Sequence, residues 1–268
     1  MERLIKIGKI KPRKASEIKN SRIGIGFEKL DRKVFNPEKA YDKLAMIGAK
    51  WVRIQSGWER TEQEKGVYDF EWLDSIVDNL LERGLVPWIN LAYGNGLYDD
   101  DAAKVFGAVG CPPVKSEEAK KGWADYITAL AAHMKGRISY YEVWNEPDGE
   151  WCWKHGPNGK EYGQFVVDTS VALKKGDSSA KVIGGAICMA KPLDFAYDAF
   201  SVGMGEHIDA ISFHEYVIDE TVVFRHVKAL RGLCNRFNPN IEIIQGESGS
   251  QSRSDGRGAM RKGAWTPH

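Results

Sequence analysis

The chain has 268 residues, of which 43% are hydrophobic and 28% are charged, an ordinary balance for one globular domain. Its 38 basic and 37 acidic residues leave a formal net charge of +1. This near-balance argues against a nucleic-acid partner and against binding to a membrane surface. We therefore expect a small-molecule or otherwise neutral partner, and we leave oligomerisation open.

Neither the cysteines nor the N-terminus indicates a special compartment. The four cysteines, Cys111, Cys152, Cys188 and Cys234, lack CxxC or His/Cys spacing, so we predict no metal and no cofactor. The basic N-terminus has no apolar segment of signal-peptide length, and no apolar run approaches the ~20 residues of a membrane span. Cytoplasmic is the default interpretation, although a secreted form after removal of its signal would look the same.

Short apolar segments alternate with amphipathic segments along the whole chain. The apolar segments predict seven strands, at Ile23–Phe27, Trp51–Gln55, Val86–Leu91, Ile138–Trp144, Lys181–Ile187, Ile208–His214 and Ile241–Gly246. Most are apolar at nearly every position, as in parallel strands that are covered on both faces. We see no linker, so residues 1–268 are interpreted as one domain.

The helices between these strands have recognisable ends. Their predicted ranges are Asn36–Gly48, Phe70–Arg83 with Asp69 as its cap, Ser116–Lys135, Glu161–Lys175, Pro192–Ser201 and Asp219–Phe237. Gly84 and Gly136 stand where a helix-terminating glycine is expected. Repeated strand–helix units of this kind indicate a parallel sheet with right-handed crossovers.

Two arrangements of such a sheet compete, a closed barrel and an open doubly wound sheet. The open sheet favours a glycine-rich phosphate turn after its first strand. Here the first strand runs into GFEKLDR (Gly26–Arg32), which has no such turn. We therefore predict a (β/α)8 TIM-barrel type of fold. Only seven strands and six helices are counted, and the tail from residue 250 onward has the pattern of a loop, so the barrel is predicted to be C-terminally incomplete with two open strand edges.

Polar residues that follow the strands are candidates for an active site, since barrel enzymes carry their sites at the C-terminal ends of the strands. Glu146 follows the fourth strand and Glu247 follows the seventh. A pair of carboxyl groups can protonate a leaving oxygen and attack an anomeric carbon, as glycoside hydrolysis with retention requires. Burying two such residues without a function would be costly.

YYEVWNEPD (Tyr140–Asp148) and IIQGESG (Ile243–Gly249) resemble the acid/base and nucleophile strands of clan A of the glycoside hydrolases, the 4/7 superfamily. Within that clan, the chain is most similar to family 39 and neighbouring families that act on xylosides and related β-linked sugars. The resemblance extends from about Ile23 to Gly249 and implies a retaining glycosidase. It also implies an aromatic residue at the end of an eighth strand, for which we find no counterpart.

The resemblance implies a role for each matching residue. Glu146 would be the acid/base and Glu247 the nucleophile. Asn145 would bind the 2-hydroxyl group, Arg53 would hold the nucleophile ionised, Tyr216 would donate to it, and His214 would line the sugar site. Structural roles remain open for three of these side chains: an ion pair for Arg53, a core position for His214 and simple packing for Tyr216. Glu215 should point away from the site, since neighbouring residues on a strand face opposite sides.

Tryptophans in predicted loops are candidates for stacking on a ligand. Trp151 and Trp153 would form a platform for the leaving group, and Trp58 would offer a further apolar face. Long loops at about Ala92–Lys115 and after Glu146 would enclose a pocket, which favours exo-action on short substrates. Neither the sugar nor the oligomeric state follows from the sequence.

We predict a retaining glycosidase in which Glu146 has a raised pKa and Glu247 stays ionised. A sugar-binding barrel without turnover is the first alternative, motivated by the missing eighth unit. A metal-dependent sugar isomerase that uses Glu146, His214, Glu215 and Glu247 is the second, and activity insensitive to EDTA would dismiss it.

Overall fold

The structure, a computed structural model, describes residues 7–9, 11–104, 108–188, 193–217 and 221–249. One parallel sheet contains seven strands in chain order: β1 Gly24–Gly26, β2 Trp51–Gln55, β3 Val86–Leu91, β4 Tyr140–Val143, β5 Lys181–Cys188, β6 Ala210–His214 and β7 Glu242–Glu247. Each strand pairs with the next along the chain. A doubly wound sheet reverses this order at its switch point, so the arrangement is that of a (β/α)8 barrel wall, here with seven strands among the described residues. The predicted fold class is confirmed.

Eight α-helices lie in the described ranges: α1 Tyr41–Met46, α2 Trp58–Thr61, α3 Glu71–Glu82, α4 Glu117–His133, α5 Gly159–Gly176, α6 Asp194–Ser201, α7 Met204–His207 and α8 Thr221–Phe237. The four-residue helices α2 and α7 were not predicted, because one turn leaves no periodic pattern to detect. The other six match predicted helices. The predicted starts at Pro192 and Asp219, and the tail from residue 250, lie outside the described residues.

Local chemistry explains where the helices begin. Ser116 Oγ accepts a hydrogen bond from Ala119 N at 3.1 Å, as a helix N-cap should. The N-cap of α3 lies one residue after Asp69, the residue predicted to cap this helix. Phe70 occupies the cap position, while Asp69 Oδ1 accepts from Glu71 N at 2.9 Å.

Strands β2 to β6 are largely buried, whereas β1 and β7 at the two edges of the sheet are exposed or half-buried. Aromatic rings fill the layer between this wall and helices α4 and α5, with Trp58, Trp123, Tyr126, Trp144, Trp153 and Phe165 in mutual contact. All four cysteines are free thiols. Within the described ranges, no helix combines the length and the apolar character that a membrane crossing requires.

Candidate active site

Glu146 and Glu247 meet at the C-terminal mouth of the barrel. Glu146 follows β4 and Glu247 ends β7. One oxygen of each carboxyl group lies within 4.8 Å of the other and of a His214 ring nitrogen. Both side chains are mostly buried, with 16% of Glu146 and 19% of Glu247 exposed. The two residues selected from the sequence therefore share one partly enclosed site.

Arg53, on β2, connects the residues of this site. Its guanidinium is 1% exposed and lies between carboxyl groups from three other parts of the barrel. Nη1 donates to Glu247 Oε1 at 2.7 Å and to Glu28 Oε1 at 2.5 Å. Nε donates to Glu142 Oε2 at 2.7 Å. The predicted contact between Arg53 and Glu247 is thus present, and an arginine fork suits several carboxylates at once.

Tyr216 also donates to Glu247, as predicted, with 2.7 Å between its hydroxyl and Oε2. Burial raises the pKa of Glu247, but the charges of His214 and Arg53 and the hydrogen bond from Tyr216 outweigh burial. The net effect is a pKa below the ordinary value, so Glu247 is ionised at neutral pH. An ionised carboxylate is the form that attacks carbon.

The backbone around Glu146 is held in an uncommon conformation. Trp144 has φ 66° and Glu146 has φ 45°, a left-handed region that non-glycine residues rarely adopt. Glu146 N donates to Ala186 O at 3.0 Å. Ala186 lies in an irregularity of β5, between Gly184 and Ile187, where the register with β6 shifts. This irregularity therefore supplies the carbonyl group that fixes Glu146 at the mouth.

The pKa of Glu146 differs from the prediction. Burial raises it, as the sequence analysis expected. A hydrogen bond and charge from His214 and a hydrogen bond from Trp151 favour the ionised form, however, and they leave the pKa of Glu146 below its ordinary value. The expectation of a raised pKa is wrong, because His214 on β6 and Trp151 in the loop after Glu146 together outweigh the burial.

His214 lies between the two carboxyl groups. Its Nδ1 is 3.1 Å from Glu146 Oε1 and 3.7 Å from Glu247 Oε2. Only 1% of its side chain is exposed, which leaves little surface for a sugar, so its observed contacts order the carboxyl groups. Glu215 points away, as predicted, and its carboxylate contacts His226 on α8.

Asn145 and Trp151 flank the carboxyl groups. Asn145 Oδ1 accepts from Arg53 Nη2 at 2.9 Å, and its Nδ2 lies 3.6 Å from Cys152 Sγ. The indole nitrogen of Trp151 donates to Glu146 Oε2, while 54% of the residue is exposed. Trp151 therefore presents a ring beside Glu146.

Trp153 and Trp58 do not present faces to a ligand. Trp153 is completely buried, packs against Trp144 and Phe165, and donates to Glu161 Oε1 at 3.1 Å. Trp58 is 1% exposed, in α2. Assigning either ring to ligand stacking is wrong. The loop that carries Trp153 folds inward, Trp58 starts helix α2, and both rings are buried in the aromatic layer.

Two acidic residues of the site were missed by the sequence analysis. Glu142, in the middle of β4, is completely buried and accepts from Arg53, from Asn90 at 2.8 Å and from Ser212 at 2.6 Å. Its signal was a charged residue inside an otherwise apolar strand. Glu28 follows β1 in the segment GFEKLDR, and nothing in that segment alone distinguishes it from a surface residue.

A cavity of about 490 Å³ opens beside the mouth, on the side of β1 to β3. Residues from the segment after β1, from α2 and from the loop after β3 form its walls, including Arg32, Arg60, Tyr93 and Val109. Arg32 is anchored here, since its Nη2 donates to Gln55 Oε1 at 2.7 Å. The loop after β3 thus forms part of the wall of a partly open pocket, and its enclosure of the site stays a prediction.

The group Glu146, His214 and Glu247 has the spacing of a possible metal site. These are three of the four residues named for the isomerase alternative, and the fourth, Glu215, points away from them. Protein donors already engage the carboxyl oxygens. Glu146 meets His214 and Trp151, and Glu247 meets Arg53 and Tyr216. A cation placed here would have to compete with the fixed charge of Arg53.

Comparison with known proteins identifies the family. The profile of glycosyl hydrolases family 39 matches residues 36–229, well over half of the chain. The matched range contains Arg53, Asn145, Glu146, His214 and Tyr216 and ends before β7, which carries Glu247.

Two relatives are named β-xylosidases. The chain is 30% identical over 191 residues to one from Caldicellulosiruptor saccharolyticus, covering 65% of the chain and 38% of that protein. It is 29% identical over 163 residues to one from Geobacillus stearothermophilus, covering 57% of the chain and 31% of that protein. The chain therefore spans about a third of the length of these relatives.

Solved structures share the fold. A family 39 β-xylosidase from Caulobacter crescentus superposes with a TM-score of 0.68 at 21% identity, covering 91% of this chain and 56% of that one. Xylanase 10B from Thermotoga petrophila, solved with xylobiose, superposes with a TM-score of 0.63 at 14% identity. The match covers 92% of this chain and 88% of that one. At these identities the structures support the barrel, and the profile match supports the family. The chain belongs to family 39 of the glycosyl hydrolases.

Proposed function

We propose that the chain hydrolyses β-glycosidic bonds with retention of anomeric configuration, using Glu247 as nucleophile and Glu146 as acid/base. The observation that carries the proposal is that an oxygen of Glu146 and an oxygen of Glu247 lie within 4.8 Å. Retaining enzymes place their two carboxyl groups about 5–5.5 Å apart, whereas inverting enzymes leave about 6.5–9.5 Å for a water molecule. The spacing therefore favours retention.

In the first step, Glu247 attacks the anomeric carbon and a glycosyl ester forms. The glycosidic C–O bond breaks, its electron pair leaves with the departing oxygen, and that oxygen takes the proton of Glu146, so the form of the enzyme that reacts is the one with Glu146 protonated. Arg53 and Tyr216 hold Glu247 ionised and oriented before the attack. Family resemblance assigns the 2-hydroxyl group to Asn145, whose Oδ1 is oriented by Arg53.

In the second step, Glu146 accepts a proton from water as the water oxygen attacks the anomeric carbon. The ester bond breaks, its electron pair returns to Glu247, and the sugar leaves with its original configuration. His214, close to both carboxyl groups, keeps them aligned through both steps. The exposed ring of Trp151, next to Glu146, stacks on the leaving group.

Two relatives named β-xylosidases make a β-xyloside the first substrate to test. The partly open cavity beside the mouth supports removal of a terminal sugar from a short chain, since a volume of about 490 Å³ suits one or two sugar rings better than a long polymer.

The test is release of aryl alcohol from aryl β-xyloside, β-glucoside, β-galactoside and α-L-arabinoside, with Glu247→Ala beside the wild type. We expect turnover of at least one glycoside and a loss of at least about 10³-fold in Glu247→Ala, since the variant lacks the attacking group. Glu242→Ala, an exposed glutamate on the same strand, is the matched control and should keep its activity.

A folded wild type that binds sugars without turnover would contradict the proposal and favour a binding-only barrel. The spacing of Glu146, His214 and Glu247 also justifies an assay with EDTA. Activity that EDTA abolishes and a divalent cation restores would favour the metal-dependent alternative.

A further inference from the structure

Glu28 lies at the active site, although neither the paired-carboxylate mechanism nor the family resemblance gives it a role. It follows β1, and its Oε1 accepts from Arg53 Nη1 at 2.5 Å. The same nitrogen donates to Glu247 Oε1 at 2.7 Å. A single nitrogen atom of Arg53 therefore bridges Glu28 and the proposed nucleophile.

The exposure of Glu28 resembles that of Glu247 and differs from that of Glu142. Its side chain is 20% exposed, against 19% for Glu247 and none for Glu142. Glu142 is enclosed by donors on both oxygens, as a structural counter-ion should be. Glu28 instead reaches the mouth of the barrel.

One oxygen of Glu28 is available to a ligand. All of its hydrogen bonds within the described ranges use Oε1, so Oε2 has no protein donor there. Oε1 also packs close to Gly26, where an added Cβ would lie 3.3 Å away. The carboxyl group is therefore held at one oxygen, with the other free to bind.

The direction of the reaction places Glu28 beside the glycone, the sugar that Glu247 retains. The leaving group must sit near Glu146 and Trp151, because Glu146 protonates the departing oxygen. Strands β2 and β3 separate β1 from β4, while Arg53 joins Glu28 directly to Glu247. A sugar bound to Glu247 therefore lies on the Glu28 side.

The charge balance suits a contact with neutral hydroxyl groups. Arg53 contacts three carboxyl groups, those of Glu28, Glu142 and Glu247. Burial raises the pKa of Glu28, the charge of Arg53 lowers it, and the charges of Glu247 and Glu142 raise it. The net effect is a pKa above the ordinary value. An anionic substituent would meet repulsion here, whereas a hydroxyl group can donate to the carboxylate or accept from its protonated form.

We propose that Glu28 is a specificity-determining residue whose Oε2 binds a ring hydroxyl group of the glycone while Oε1 shares Arg53 with the nucleophile. This inference rests on the proposed site and identifies its ligand as a neutral, polyhydroxylated sugar.

The experiment is a double-mutant cycle between Glu28→Gln and single hydroxyl groups of the sugar. Methyl β-xyloside and its 2-, 3- and 4-deoxy analogues are titrated by calorimetry into the wild type, Glu28→Gln and the control Glu82→Gln; the same series of methyl β-glucosides and β-galactosides follows. Glu82 is an exposed glutamate at the end of α3 that leads into the start of β3. Calorimetry needs no turnover, so it reports on binding even if the chain does not hydrolyse glycosides.

We expect the wild type to lose about 10- to 100-fold in affinity for one deoxy analogue, the range of a hydrogen bond to a charged group. Glu28→Gln should bind the parent glycoside about as weakly as the wild type binds that analogue. The affinity of Glu28→Gln should fall little further when the same hydroxyl group is absent from the glycoside. Glu82→Gln should match the wild type.

The inference would be overturned if the loss of affinity from Glu28→Gln simply added to the loss from removing each hydroxyl group. The absence of binding to any sugar would overturn it as well. Additive losses in a chain that hydrolyses aryl glycosides would leave the proposed function standing. Coupled losses in a chain without turnover would instead support the role of Glu28 and reject hydrolysis. A thermal unfolding scan of Glu28→Gln confirms that the comparison concerns a folded protein.

Discussion

At the scale of single residues, the protonation of Glu146 depends on its neighbours. His214 and the indole nitrogen of Trp151 both favour its ionised form. Trp151→Phe keeps an aromatic ring and removes the N–H donor, so the pKa of Glu146 should rise. Because Glu146 acts first as an acid, kcat/KM falls as Glu146 loses its proton, and the basic limb of the pH profile should move to higher pH in the variant.

The matched control is Trp72→Phe, which also removes an indole donor. Trp72 Nε1 donates to Thr61 Oγ1 at 3.1 Å, outside the site. Its pH profile of kcat/KM should coincide with that of the wild type. A basic limb that stays in place, or moves to lower pH, in Trp151→Phe would contradict the contact between Trp151 and the acid/base.

Residues at strand ends could be assigned from the sequence, whereas residues in loops could not. Arg53 on β2 and Tyr216, two residues beyond the end of β6, have the predicted contacts with Glu247. The alternation of side chains along a strand indicates where residues at or just after its end point. Trp153 lies among glycines and polar residues, which suggested exposure, yet its loop folds back into the core. The donors that lower the pKa of Glu146 come from β6 and from that same loop, and no local pattern reveals them.

At the scale of helices and strands, the ends of α3 and α4 offer a matched test. Gly84 has φ 75° and Gly136 has φ 80°, and each follows the end of its helix. A Cβ at Gly136 would meet nothing within 4 Å, whereas at Gly84 it would lie 2.6 Å from Ser16 Cα. Gly136→Ala should therefore lower the free energy of unfolding by about 1 kcal/mol through its left-handed backbone alone.

Gly84→Ala should lower the free energy of unfolding by at least about 1 kcal/mol more than Gly136→Ala does, because the backbone at Ser16 has to move. Urea unfolding at equilibrium measures both variants against the wild type. Equal losses in the two variants would show that the packing of the N-terminal segment against Gly84 does not contribute to stability.

Strand boundaries were predictable where strands are regular. The ranges of β2 and β3 agree with the prediction at both ends. The end of β4 was placed one residue too late, because Trp144 turns into a left-handed conformation and leaves the strand. The irregularity in β5 that holds Glu146 has no signal beyond two adjacent glycines, since it is set by pairing with β6.

At the scale of the whole molecule, the sequential parallel order of the strands makes the site possible. It brings residue 28 and residue 247 to the same guanidinium, although they stand at opposite ends of the sheet. The alternation of strands and helices in the sequence predicted this order. The meeting of β1 and β7 residues at Arg53 depends on the curvature of the sheet, which side-chain patterns do not encode.

The account depends most on Glu247 as the nucleophile, and trapping the glycosyl ester tests this directly. The chain is incubated with an activated 2-deoxy-2-fluoro-β-xyloside, or with the corresponding derivative of whichever sugar it hydrolyses, and analysed by intact mass and peptide mapping. We predict one added glycosyl unit, on the peptide that contains Glu247, and none on Glu247→Ala. Turnover of the parent glycoside with an inverted product and no adduct, or a label on Glu28 or Glu146, would contradict the account.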